Sequence, residues 1–135
     1  MADARTLVPG TARGAALVLD EPLSFWGGID PATGDLIDVR HPQRGENVAG
    51  RVLVMPSGRG SSSSSSVLAE SVRAGTAPAA IVLADPDPIL ALGAIVAREL
   101  YGRTMPVVLA GESGVRDGDV VLVRARHETA EILGG

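Results

Sequence analysis

The sequence predicts a single mixed α/β domain, with strands at both ends and a strand–helix–strand–helix–strand middle. Three observations point there. Between Val52 and Ala110, apolar runs of strand length alternate with stretches of helical spacing, a pattern that yields parallel strands joined by right-handed crossovers. Outside that region the apolar runs are short, separated by turn residues and without a helical period. The length of 135 residues suits one ordinary domain, which at this size buries about two-thirds of its unfolded surface.

In order along the chain, Ala15 to Leu19 is a short apolar run after Gly14 and is read as a buried strand. Glu21-Pro22 ends it. Leu23-Ser24-Phe25-Trp26-Gly27-Gly28 follows, and then Asp30-Pro31-Ala32-Thr33-Gly34, whose proline and glycine have turn chemistry. Leu36 to Val39 is read as a further strand, and His41 to Asn47 as a polar loop. Val48 to Met55 resumes apolar, broken at Gly50-Arg51. Val67, Leu68, Ser71 and Val72 share a helix face, and Gly75 stands where a C-terminal cap belongs. Ala79 to Ala84 is a strand-length apolar run. Asp85 to Pro88 supplies capping aspartates and first-turn prolines for a helix carrying Ile89, Leu92, Ile95, Val96 and Leu100 on helical spacing, with Gly102 to end it. Met105 to Ala110 is another strand, with Pro106 confined to its start or an edge. Asp117-Gly118-Asp119 turns the chain into Val120 to Val123, while His127 to Leu133 is short and ambiguous.

Composition narrows the chemistry. There is no cysteine, so the chain carries no disulfide, no thiolate nucleophile and no cysteinyl metal site. Twelve basic residues, all arginine, are spread among sixteen acidic ones for a net charge of −4; no basic face for nucleic acid follows. Phe25, Trp26 and Tyr101 are the only aromatic residues, too few for a base-stacking platform. The first ten residues lack the apolar segment of a signal peptide, and no apolar run approaches a membrane span. The expectation is a soluble, cytoplasmic protein that meets neither nucleic acid nor membrane.

Two stretches remain as candidates for function. Pro56-Ser57-Gly58-Arg59-Gly60-Ser61, with serines continuing to Ser66, joins a strand to a helix start. Such a junction aims backbone N–H groups and a positive dipole end at an anion. A flexible Gly/Ser linker has the same composition, but a linker separates two domains and this chain is short for two. The second is Phe25-Trp26 beside two glycines, which serves either as a core plug or as a contact surface. The glycine loop has no lysine, so it is not a nucleotide P-loop. No Gly-x-Ser-x-Gly elbow exists. His41 and His127 lack metal-ligand spacing and read as solvated or capping residues, and Asp85 and Asp87 read as helix caps.

Pro22-Leu23-Ser24-Phe25-Trp26-Gly27-Gly28-Ile29-Asp30, then His41-Pro42 with Gly45, then Gly58-Arg59-Gly60-Ser61-Ser62-Ser63, then Gly75-Thr76-Ala77-Pro78-Ala79-Ala80-Ile81 resemble, in order and over nearly the whole chain, the small swivel-type subunit of the aconitase X family. Where such sequences often have a glycine after the three loop serines, this chain has Ser64. The resemblance implies a single swivelling β/β/α domain over residues 1–135. It implies a large partner subunit that holds an iron–sulfur cluster through its own cysteines, so that this chain holds no metal. It also implies a dehydratase acting on a small carboxylate or phosphate. The substrate expected is cis-3-hydroxy-L-proline, with mevalonate 5-phosphate as the alternative; a non-catalytic phospho-carrier or anion-binding module of swivelling type is the remaining reading. Carried over by motif, Ser61 is the base that removes a proton from the carbon next to a carboxylate. Arg59, Gly60, Ser62 and Ser24 are substrate contacts, and Phe25 and Trp26 face the partner.

Ser61 is a weak base unaided. A helix N-terminus contributes about 0.3 to 2 kcal/mol, which moves a pKa by at most about one and a half units. The remainder has to come from Arg59 and the partner's charges acting on the transition state. The small chain alone is therefore expected to be inert.

Overall fold

A computed structural model describes residues 2–58 and 62–134. Seven strands close into a barrel: β1 (Ala2–Val8), β2 (Gly10–Val18), β3 (Val52–Met55), β4 (Ala80–Leu83), β5 (Val107–Leu109), β6 (Val120–Ala125) and β7 (Thr129–Gly134). Around the barrel the order is β1-β5-β4-β3-β2-β6-β7, and β7 pairs back onto β1. β2, β3, β4 and β5 run parallel, while β1, β6 and β7 complete the wall antiparallel. A one-turn segment, α1 (Phe25–Gly28), and two longer helices, α2 (Ser64–Ala74) and α3 (Pro88–Tyr101), lie outside. α2 joins β3 to β4 and α3 joins β4 to β5, as the alternation between Val52 and Ala110 predicts.

Residue size explains the layering. Along a strand, successive side chains face opposite ways. In Val52-Leu53, Ala16-Leu17 and Ala80-Ile81-Val82-Leu83 the alanines and valines enter the barrel and the leucines and Ile81 face the helices. The barrel interior is filled by Ala16, Val52, Ala80, Val82, Val108, Val121, Val123 and Ile132, drawn from six strands. A narrow barrel has room for side chains of this size and little else. The second core lies between the barrel and the helices, where Leu53, Ile81 and Leu83 meet Leu68, Leu90, Ala94 and Ala97.

The helix ends follow the sequence signals. Gly75, with φ of 80°, caps α2 by donating its N–H to Ser71 O and Val72 O, and Gly102, with φ of 65°, caps α3 through Arg98 O. Asp87 caps the start of α3, its Oδ1 accepting from Ile89 N at 3.0 Å and Leu90 N at 3.1 Å, with Pro88 in the first turn. Asp85 makes no such cap; its backbone N–H donates to Pro56 O at 2.9 Å.

One reading of the sequence is corrected, and two stretches it left open are assigned. Ala2–Val8 is a full strand whose Asp3 and Arg5 alternate outward with small residues inward, so it has no continuous apolar run to mark it. Leu36 to Val39 is not a strand. Leu36 pairs singly with Ile29, and Ile37 and Val39 are exposed, because Asp38 Oδ1 accepts from Arg40 N and turns the chain. The ambiguous tail is strand β7, which closes the barrel. The Asp30–Gly34 turn forms as its residues predict: Gly34 has φ of 83° and donates to Asp30 O at 2.7 Å.

Candidate functional site

The loop after β3 leaves the barrel at the carboxyl end of a parallel strand, where ligands gather in folds of this kind. Arg59, Gly60 and Ser61 lie outside the described residues; their neighbours fix the frame around them. On one side, Leu23 pairs with Gly58 in a parallel bridge, which brings the segment Leu23–Gly28 alongside the loop. On the other side stands α3. The Asp87 carboxylate presses against Gly58, where an added Cβ collides with Oδ2 and lies 3.1 Å from Cγ. Gly93 lets α3 approach the start of α2, since a Cβ there sits 2.8 Å from Ser65 O. Gly58 and Gly93 are thus small for packing reasons, not for backbone angle.

At the head of α2, Ser63 occupies the cap position without a side-chain cap bond. The first-turn N–H groups therefore gain no side-chain partner from it, which suits an anion. Ser62 is exposed, and its carbonyl accepts from Ser65 Oγ at 2.9 Å. Ser64 is turned inward and is 3% exposed. Its Oγ accepts from Trp26 N at 3.2 Å and lies 3.2 Å from Ser24 Oγ. These contacts span 38 and 40 residues, so no local spacing announces them. The visible signal was the serine at a place where similar sequences often have glycine.

The structure separates the aromatic pair. Phe25 is fully buried in the outer core, whereas Trp26 is 59% exposed. Trp26 leaves the helical region, with ψ of 115°, and Gly27 turns back with φ of 79°. Of the two residues assigned to a partner surface, only Trp26 has an exposed side chain. Phe25 is the core plug that holds the segment down.

The loop His41–Asn47 anchors this segment from below. The Gln43 amide acts as an extra strand partner, donating from Nε2 to Val18 O at 2.7 Å and accepting at Oε1 from Asp20 N at 2.8 Å. His41 is buried; its Nδ1 accepts from Gln43 N at 3.1 Å, so its Nε2 carries the proton that reaches Glu21 O at 3.2 Å. Both ring nitrogens are committed to backbone, which leaves His41 unsuited to accept a phosphoryl group.

The mouth at the carboxyl ends of β3 to β5 is lined by apolar Leu19, Val54, Met55, Val82 and Ala110, with Ser113 its one hydroxyl, and that Oγ accepts from Val115 N at 3.2 Å. The hydrogen bonds of Arg73 hold the Glu70 carboxyl below its usual range, but that pair lies on the open surface of α2 and has no site to serve. Among the described residues, no helix is long and apolar enough to cross a membrane.

Comparison with known proteins agrees with this geometry. The family model of the aconitase X swivel domain matches residues 1–132. A cis-3-hydroxy-L-proline dehydratase of Pseudomonas aeruginosa is 55% identical over 108 residues, 80% of this chain but 19% of that protein; the chain thus spans about a fifth of that relative's length. A phosphomevalonate dehydratase small subunit of Thermococcus sibiricus is 42% identical over 122 residues, 90% of this chain and 89% of that one. The crystal structure of Thermococcus kodakaraensis aconitase X in its holo-form superposes with a TM-score of 0.85 at 35% identity, covering 98% of this chain and 99% of that chain. The chain belongs to the aconitase X swivel-domain family.

Proposed function

We propose that this chain is the small subunit of an aconitase-like hydro-lyase, a cis-3-hydroxy-L-proline dehydratase that acts only with a large, cluster-bearing partner. The observation that carries the reading is the 55% identity to a hydroxyproline dehydratase across 80% of the chain, taken with a serine loop at the carboxyl end of β3. In that relative the matched region is 19% of the polypeptide, and the rest is what the partner supplies.

The loop serves as the substrate-facing edge of a domain that swivels over the partner. The substrate carboxylate is received by the first-turn N–H groups of α2, by Ser62 and Ser24, and by the Arg59 guanidinium. Ser61 takes the proton from the carbon beside that carboxylate. Binding the anion at a helix N-terminus also favours the negative charge that develops on the carboxylate as the proton leaves. The cluster ligands belong to the partner: this sequence has no cysteine, and among the described residues no group of histidine, aspartate and glutamate gathers to hold a metal. A cluster held by the partner would supply the Lewis acid that the departing hydroxyl needs. Trp26 makes contact with the partner beside the loop.

Mevalonate 5-phosphate is the second reading, favoured by the nearly end-to-end match to a phosphomevalonate dehydratase small subunit. Co-expression with the cluster-bearing neighbour tests both. A brown complex that dehydrates cis-3-hydroxy-L-proline supports the first substrate, and one that dehydrates only mevalonate 5-phosphate replaces it with the second. A chain that forms no complex removes the subunit reading altogether.

A further inference from the structure

We propose that Ser64 is a positioning residue: it receives the Trp26 amide proton and gives its own proton to Ser24, so that the Ser24 hydroxyl is left to donate outward to the anionic group of the substrate. The inference rests on the dehydratase reading for the identity of that substrate.

A hydroxyl has one proton to give and two lone pairs to offer. Ser64 Oγ is buried, so its proton needs a protein partner, as buried polar groups do. One lone pair is taken by Trp26 N–H at 3.2 Å. Among the described residues, the acceptor within reach of its proton is Ser24 Oγ, also at 3.2 Å. Run in that direction, the chain leaves the proton of the half-buried Ser24 uncommitted, beside the loop. Run in reverse, it commits the Ser24 proton inward and leaves the Ser64 proton without an acceptor among the described residues. Burial thus favours Ser64 as the donor, the buried hydroxyl having the greater need of a protein acceptor.

The Ser24–Ser64 separation exceeds the ~2.7–2.8 Å usual for hydroxyl pairs, so the contact is weak at rest. An anion accepting from Ser24 polarises the chain and strengthens each bond behind it. Ser64 also ties the segment carrying Ser24 to the helix that carries the loop serines, so two substrate contacts from distant parts of the sequence hold one spacing.

The test uses the reconstituted complex, assayed with cis-3-hydroxy-L-proline and with mevalonate 5-phosphate. Ser24→Ala removes a bond to a charged group, which corresponds to a rise in KM of about ten- to a hundredfold with kcat within about threefold. Ser64→Ala leaves Ser24 in place but misdirected, and raises KM about three- to tenfold. Because Ser64 acts through Ser24, the double variant matches Ser24→Ala alone. Amide exchange at Trp26, followed in the same complexes, is faster in Ser64→Ala and unchanged in Ser24→Ala. Multiplying effects in the double variant, or unaltered KM and Trp26 exchange in Ser64→Ala, overturn the inference in an active complex. A wild-type complex inert toward both compounds instead overturns the dehydratase reading and the substrate role of Ser24 with it, while Trp26 exchange still decides whether Ser64 holds that amide.

Discussion

Gly58→Ala probes how α3 holds the loop. The new Cβ collides with Asp87 Oδ2 and lies 3.1 Å from Asp87 Cγ and 3.3 Å from Leu90 Cδ1. Leu90 can yield by a rotamer shift, but Asp87 cannot yield freely. Its other oxygen caps α3 through Ile89 N and Leu90 N, and rotating it away sacrifices that cap, worth about 1 kcal/mol. If the loop moves instead, the cost is that of overpacking, about 1–3 kcal/mol. Either route lowers stability by about 1–3 kcal/mol, and at this chain length each kcal/mol shifts Tm by about 4 °C. The partner substitution is Asp87→Ser, which keeps a capping oxygen but withdraws the one that faces Gly58. In that background Gly58→Ala is expected to cost less than about 0.5 kcal/mol. Thermal and denaturant melts of the four proteins close the cycle. Equal losses in both backgrounds would refute the claim that the Asp87 carboxylate is what requires glycine at 58.

The two aromatic residues give opposite outcomes. Phe25→Ala empties a fully buried site and is expected to destabilise the domain by about 3–5 kcal/mol in melts. Trp26→Ala leaves the fold within about 0.5 kcal/mol but weakens association with the large subunit by tenfold or more, as a tryptophan anchor does, read by titration calorimetry. Gln43→Ala removes both amide bonds to the end of β2 and is expected to cost about 1–2 kcal/mol, with faster amide exchange at Asp20 as its local signature.

The middle of the fold was legible because each local signal there agreed with its neighbours. The apolar runs lie on strands with small residues facing inward, Asp87 and Pro88 open a helix, and Gly75 and Gly102 close two. The ends were harder. β1 alternates charge with alanine, so its strand character depends on pairing with β5 and β7 across the whole length of the chain. Leu36 to Val39 carried strand residues of which tertiary packing uses Leu36, while Ile37 and Val39 stay exposed. At the site, the loop and the serine run were visible as a strand-to-helix junction. The Ser24–Ser64 contact, the split of Phe25 from Trp26 and the approach of Asp87 to Gly58 were not, because each is made only when the chain folds back over tens of residues.

The most direct test of the account is turnover by Ser61→Ala in the reconstituted complex, with Ser65→Ala beside it. Ser61 comes three residues before α2 in the sequence, whereas Ser65 Oγ is engaged locally with Ser62 O. Loss of a general base costs about a hundred- to ten-thousandfold. The account predicts a loss of that size for Ser61→Ala, with melting and partner binding close to wild type, and a much milder effect for Ser65→Ala. Near-normal turnover by Ser61→Ala contradicts its role as the base, and an equal loss in Ser65→Ala moves that role to a different serine.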